Sequence, residues 1–337
     1  MIICGMRWDL FCRVIDNYGD IGVAWRLSRD LATRGEQVRL WLDDASALRW
    51  MAPQGAPGVQ VLPWDHVPDE IGDVVIELFG CDLPNAIVQR MAARIVPPRW
   101  INLEYLSAED YVERSHGLAS PQFSGPGSGL AKHFFYPGFT ERTGGLLREP
   151  GLLDEPFDAP AWLAAQGIER GRDERLVSLF AYPQADVQGL VTLLADAPTL
   201  ILCSPGKLAR PALPAQVRWQ ALPYLSQPDY DRLLRACDLN CVRGEDSFVR
   251  AQWAGKPFLW QIYFQDDGAH GPKLEAFLRL YRPDAATTAL FRAWNGRGNW
   301  PAVLPSLDPA HALAWRAQLA AQADLTSQLQ GFVASSG

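Results

Sequence analysis

WDLFCRVIDNYGDIGVAWRLSRDLATRGEQVRLWL, residues 8–42, decides the fold class. Trp8 to Ile15 is a mostly apolar run, as a strand buried on both faces requires. The loop Asp16-Asn17-Tyr18-Gly19-Asp20 follows it. From Ile21 to Arg34 the apolar positions Ala24, Leu27 and Leu31 recur at helical spacing, and Gly35 supplies a stop. Val38 to Leu42 is a second strand. Strand, helix and strand in this order form a βαβ unit, the repeating piece of a doubly wound α/β sheet.

Working outward, DVVIELF (73–79) and RWINLEY (99–105) read as further strands of the same sheet. From Ser120 to Gly171 the chain turns rich in Gly and Pro, which predicts loops at a domain edge and a linker. Within it, SGPGSGLAKHFFYPGFTERTGG lacks the Gly-Lys-Ser/Thr of a phosphate loop and reads as a mobile loop able to cover a cleft. The alternation then restarts. RLVSLFAY, TLILCSPG, DLNCVRG and KPFLWQIY are strands, and the helices between them include QPDYDRLLRACD and SFVRAQWAG. One last helix is expected from Asp308 to Gln330, with Asp308 as cap and Pro309 in the first turn. The expected division is therefore a Rossmann-like domain over 1–150, a linker over 151–172, a second Rossmann-like domain over 173–307, and a helical segment over 308–337 that packs back on the first domain.

A chain of 337 residues suits two domains of roughly 150 each, and 48% apolar residues allow both to bury cores. The formal net charge of −7 and the absence of a Lys/Arg cluster exclude a general nucleic-acid or anionic-membrane binder. No apolar run approaches the ~20 residues of a membrane helix. The six cysteines, Cys4, Cys12, Cys81, Cys203, Cys237 and Cys241, are dispersed and read as buried free thiols of a cytoplasmic protein. The histidines, His66 among them, show no metal spacing, so no metal is expected.

Three constellations could carry chemistry. The first is the acidic turn from Asp16 to Gly22 at the carboxyl end of the first strand, the edge where open α/β sheets bind ligands. A capped helix with a glycine turn explains the same residues. A dinucleotide site is disfavoured, because only Gly19 and Gly22 of its three glycines are present and two acids would repel a pyrophosphate. The second is Arg243-Gly244-Glu245-Asp246-Ser247 before a helix, where backbone N–H groups, a hydroxyl and a cation could meet an anion. The same acids equally complement the helix dipole. The third is Phe180, Tyr182, Tyr224, Gln227 and Tyr263 at strand ends of the second domain. A pyrimidine could stack and be read there, although such aromatics also serve as core lids.

FCRVIDNYGDIGVAWRLSRDLA, WINLEYLSAEDYVE, FFYPGFTERTGGLLRE and DLNCVRGEDSFVRAQWAGKPFLWQIY together resemble the elongation factor P arginine rhamnosyltransferase family. The resemblance implies a GT-B fold and dTDP-β-L-rhamnose as co-substrate without a cofactor. It implies inversion at the anomeric carbon and an arginine of translation elongation factor P as acceptor. It makes Asp20 and Asp16 the catalytic acids. Glu245, Asp246, Ser247 and Tyr263 would hold the diphosphate and sugar, and Phe180, Tyr182, Tyr224 and Gln227 the thymine. Tyr18, Gly19 and Arg243 complete the expected donor-binding set. A GT-B enzyme using another nucleotide sugar, or a sugar-nucleotide binder without activity, remains as the alternative.

Overall fold

The computed structural model describes residues 5–16, 18–65, 68–264 and 270–335. Cys4, Asn17 and His66 lie outside the described residues. The chain forms two compact units, Met1–Pro150 with Ala321–Gly337, and Gly151–Ala320.

The first unit runs through β1 (Arg7–Cys12), α1 (Gly19–Thr33), β2 (Gln37–Leu42), α2 (Leu48–Met51), β3 (Val59–Pro63), β4 (Val74–Leu78) and α3 (Asn85–Ala93). It continues through β5 (Arg99–Leu103), α4 (Asp110–Ser115), β6 (Ala119–Pro121) and β7 (Ala131–Phe135). Its sheet order is β3-β2-β1-β4-β5-β7-β6. Only β6 is antiparallel to its neighbour. The chain winds outward from β1 to β3 and returns to lay β4 on the other side of β1. That reversal opens a crevice beyond the carboxyl ends of β1 and β4.

Strand alternation divides the core in two. Trp8, Leu10, Val74, Ile76 and Leu78 face α1, meeting Ile21, Ala24, Leu27 and Leu31. Phe11, Trp41, Val75 and Trp100 face the other way, meeting Ile87, Val88 and Met91 of α3. The one carboxylate inside β1, Asp9, is fully buried and bound by Arg39 at 2.6 and 2.7 Å, the Trp41 indole N–H and the Gly72 N–H. A buried charge needs this many partners, so Asp9 is structural.

The second unit contains α5 (Ala159–Ala165), β8 (Arg175–Leu179), α6 (Val187–Leu194), β9 (Thr199–Cys203), β10 (Val217–Ala221), α7 (Gln227–Ala236) and β11 (Leu239–Arg243). It then adds α8 (Asp246–Ala254), β12 (Phe258–Gln261), α9 (His270–Tyr281), α10 (Ala285–Trp294) and α11 (Pro309–Ala320). Its parallel sheet has the order β10-β9-β8-β11-β12, reversing between β8 and β11. The chain ends in α12 (Leu325–Ser335), whose Leu325, Leu329 and Val333 join the core beneath α1.

Three expectations change. The Gly-rich run read as a mobile loop contains β7, paired along its length with β5. The span 151–172 carries α5, and Leu163 and Ile168 lie in the second unit's core rather than in a linker. The terminal helix is two helices. The first ends at Ala320, and Asp324 caps the second by accepting the Ser327 N–H at 2.9 Å, so α11 stays with the second unit and α12 returns to the first. Cys12, Cys81, Cys203, Cys237 and Cys241 are free and buried. Burial pushes the Cys203 thiol up to about 11 and Cys81 to about 12, which keeps both inert. Among the described residues no helix is long and apolar enough to cross a membrane.

Candidate functional site

The loop leaving β1 lies at the reversal of the first sheet. Helix α1 starts at Gly19, two residues earlier than the expected Ile21, so Asp20 sits inside its first turn rather than before it. Only 3% of Asp20 is exposed. Its Oδ2 accepts the backbone N–H groups of Ile15 and Asp16, both at 2.8 Å, which folds the loop back over the helix start. Burial raises the Asp20 pKa above the usual carboxylate range. The two N–H bonds oppose the rise, and the charges of Asp16 and Asp43 add to it.

Asp16 is half-buried beside it. Its carboxylate lies over Gly19, where a Cβ would come within 2.8 Å of Oδ2 and displace the carboxylate. Tyr18 packs edge-on against Trp50, with ring centroids 5.1 Å apart. Asp43, just past β2, accepts the Val14 N–H at 2.9 Å and anchors the start of the loop. The result is two neighbouring carboxylates, one buried with a raised pKa, at a ligand-binding edge. Such a pair can hold a cation bidentately and take a proton from it.

The second constellation gathers at the reversal of the second sheet. Beyond β8, Phe180 and Tyr182 enclose the Arg243 guanidinium, whose central carbon is 4.2 and 4.4 Å from their ring centroids. One face of each ring is thus taken by the cation. Gly244 turns the chain with φ +60°; Glu245 directly precedes α8 and Asp246 opens it, both half-buried. Ser247 Oγ accepts the Arg243 N–H at 3.1 Å and donates to the Arg243 carbonyl, so this hydroxyl shapes the turn from within. Tyr263, half exposed, meets Tyr182 edge-on at 5.5 Å. Gln227 is buried in the first turn of α7, and Tyr224 is half exposed on the loop before it.

Residues outside the sequence reading complete this edge. Gln261, at the end of β12, accepts the Tyr182 N–H on Oε1 at 2.8 Å, and its carbonyl accepts the Gly244 N–H at 3.2 Å. It therefore couples the aromatic pair to the turn. Its only signal in the sequence is an amide at the last position of an otherwise apolar strand. Tyr230 of α7 is half-buried and meets Phe180 edge-on at 6.1 Å. Among the described residues, no group of His, Cys, Asp or Glu has metal-holding geometry.

Comparison with known proteins gives a consistent answer. Residues 8–334 match the sequence family described as Elongation-Factor P (EF-P) rhamnosyltransferase EarP. A protein-arginine rhamnosyltransferase of Pseudomonas putida is 45% identical, covering 98% of this chain and 99% of its own. Its counterpart in Pseudomonas aeruginosa is 43% identical over 97% and 98%. A solved structure described as the structural basis for EarP-mediated arginine glycosylation of translation elongation factor EF-P is 34% identical. It has a TM-score of 0.64 and covers 98% of this chain and 100% of that one. The spinosyn forosaminyltransferase SpnP, at 14% identity and a TM-score of 0.55 over 98% and 100%, shares the fold alone.

Proposed function

Because the chain belongs to the Elongation-Factor P (EF-P) rhamnosyltransferase EarP family, we propose that it moves L-rhamnose from dTDP-β-L-rhamnose to an arginine guanidino nitrogen of translation elongation factor P, with inversion. The fold is GT-B, and the enzyme is a protein-arginine rhamnosyltransferase. The observation that carries the finer reading is the buried Asp20, its pKa raised, beside Asp16 at the reversal of the first sheet.

A guanidinium has a pKa above about 12 and spreads its charge over three nitrogens, so it is a poor nucleophile. Asp16 and Asp20 hold it by charge-assisted bonds that concentrate the charge away from one nitrogen. That nitrogen forms a bond to the anomeric carbon as the bond from carbon to the diphosphate oxygen breaks on the opposite face. The nitrogen's proton passes to Asp20, whose raised pKa makes it a better base than an exposed aspartate. The departing dTDP carries the electron pair. It is stabilised by the first-turn N–H groups of α8, by Tyr263 and by the charge of Arg243. Phe180 and Tyr224 offer accessible ring surface to the thymine, and the buried Tyr182 and Gln227 back that pocket. The reaction as written needs no metal. Its acceptor, a translation factor, places the enzyme in the cytoplasm.

Release of dTDP, followed with a panel of nucleotide sugars with and without elongation factor P, tests this reading. Release confined to dTDP-β-L-rhamnose and dependent on elongation factor P is expected. Equal release from another nucleotide sugar, or release indifferent to the acceptor, contradicts it.

A further inference from the structure

The strand next to β1 ends in a conformation that ordinary strand termination does not require. Val74, Ile76 and Leu78 of β4 face the α1 side of the sheet, and Val75 faces the α3 side. Simple alternation would send Phe79 to the α3 side. Instead Phe79 has φ +59°, and its ring packs on the α1-side core. A bulky side chain in the left-handed region is uncommon and strained, and Gly or Asn would turn the chain more easily.

The surroundings hold the strain in place. The Phe79 N–H donates to the Leu103 carbonyl at 2.7 Å. The Gly80 N–H donates to Asn102 Oδ1 at 3.1 Å, and Asn102 Nδ2 donates to Glu104 Oε1 at 2.7 Å. The reversal brings the Phe79 ring onto Tyr105, stacked at 4.5 Å and 16° between planes. Phe11 of β1 pairs with Glu77, so Phe79 leaves the sheet alongside the strand that continues into the Asp16–Asp20 loop. Tyr18 of that loop packs against the same core face.

We propose that the half-buried Phe79–Tyr105 pair is a platform for the planar guanidinium of the acceptor arginine, and so helps select arginine over lysine. The proposal rests on the reading of Asp16 and Asp20 as the acceptor-holding acids. Stacked aromatic rings at the end of the strand paired with β1, whose continuation carries the two carboxylates, suit a flat, delocalised and weakly hydrated cation. An ammonium is compact and strongly hydrated, and gains less from a ring face.

Three variants separate this role from plain packing: Phe79→Leu keeps the apolar bulk, Phe79→Gly also relieves the backbone, and Phe79→Tyr keeps the ring. The readouts are KM for elongation factor P, its Kd by calorimetry without donor, and the Kd for dTDP. Phe79→Leu and Phe79→Gly should each weaken acceptor KM and Kd about tenfold while dTDP binding holds, and Phe79→Tyr should recover most of the loss. Wild-type acceptor affinity in a folded Phe79→Leu protein overturns the proposal, as does an equal loss of dTDP affinity. Calorimetry reads the platform independently of turnover. Acceptor binding that weakens in Phe79→Leu while the wild type transfers nothing would uphold the platform and overturn the transferase reading.

Discussion

Replacing Asp20 by Asn and by Ala separates its chemical from its structural work. The Ile15 and Asp16 N–H groups both depend on Oδ2. Asn keeps one carbonyl oxygen able to accept them, whereas Ala leaves two donors without a partner. At about 1 kcal/mol or a little more for each part-buried donor, Asp20→Ala should cost roughly 2–3 kcal/mol. For a unit of this size that lowers Tm by about 4–12 °C. Asp20→Asn should not share the loss. Burial raises the folded-state pKa, so the unfolded chain loses its proton first as pH rises. The carboxylate therefore carries a penalty that begins near its unfolded value of about 3.9 and is complete above the folded one. At neutral pH both variants escape that penalty, so Asp20→Ala still melts lower through its two unpaired donors while Asp20→Asn should melt at or slightly above the wild type. Both variants should lose transfer by roughly a hundred- to ten-thousandfold, the usual contribution of a general base, with dTDP affinity unchanged. Melting curves at pH 7 and single-turnover transfer rates supply the readouts. Asp20→Asn melting as low as Asp20→Ala would refute the structural reasoning, and Asp20→Asn retaining a tenth of the rate would refute the chemical role.

The acid limb of the kcat/KM profile should lie above the ordinary aspartate value, because transfer requires the charged Asp20 and burial raises its pKa in the free enzyme. Asp16→Asn removes a charge that raises this pKa, so the remaining activity should titrate at lower pH; an unmoved limb would count against the coupling. Gly19→Ala would bring a Cβ within 2.8 Å of the Asp16 carboxylate, so it should cut transfer about tenfold or more without changing dTDP affinity, as activity and calorimetry would read. Arg243→Lys keeps a charge but loses the flat group between Phe180 and Tyr182. It should weaken dTDP binding by about tenfold, and a wild-type Kd would show that the ring contacts serve only the fold.

Much of the fold was legible because local patterns agreed with tertiary packing. In the stretch from Trp8 to Leu42, strand runs, helical spacing and a glycine stop all pointed to βαβ, and β1, α1 and β2 lie there. The failures have non-local causes. In β7, four of five residues are only half-buried, so the strand carries little apolar pattern and exists through its pairing with β5. The break between α11 and α12 was signalled by Asp324 and Ser327, but the apolar positions on either side ran on as if in one helix. At the candidate site, the sequence supplied the acids of the loop and the Arg243–Ser247 turn. Which atoms turn inward depends on packing. The Ser247 hydroxyl bends back onto Arg243, and Gln261 acts through two strands distant from it in sequence. The reversed Phe79 ring leaves no trace in an apolar strand pattern.

The most direct test of the central claim is the intact mass of elongation factor P after incubation with this protein and dTDP-β-L-rhamnose, without added metal. A gain of one deoxyhexose, lost when the acceptor arginine is changed to lysine, is the predicted result. An unchanged mass while dTDP-β-L-rhamnose demonstrably binds, or a gain that survives the arginine-to-lysine change, would contradict it.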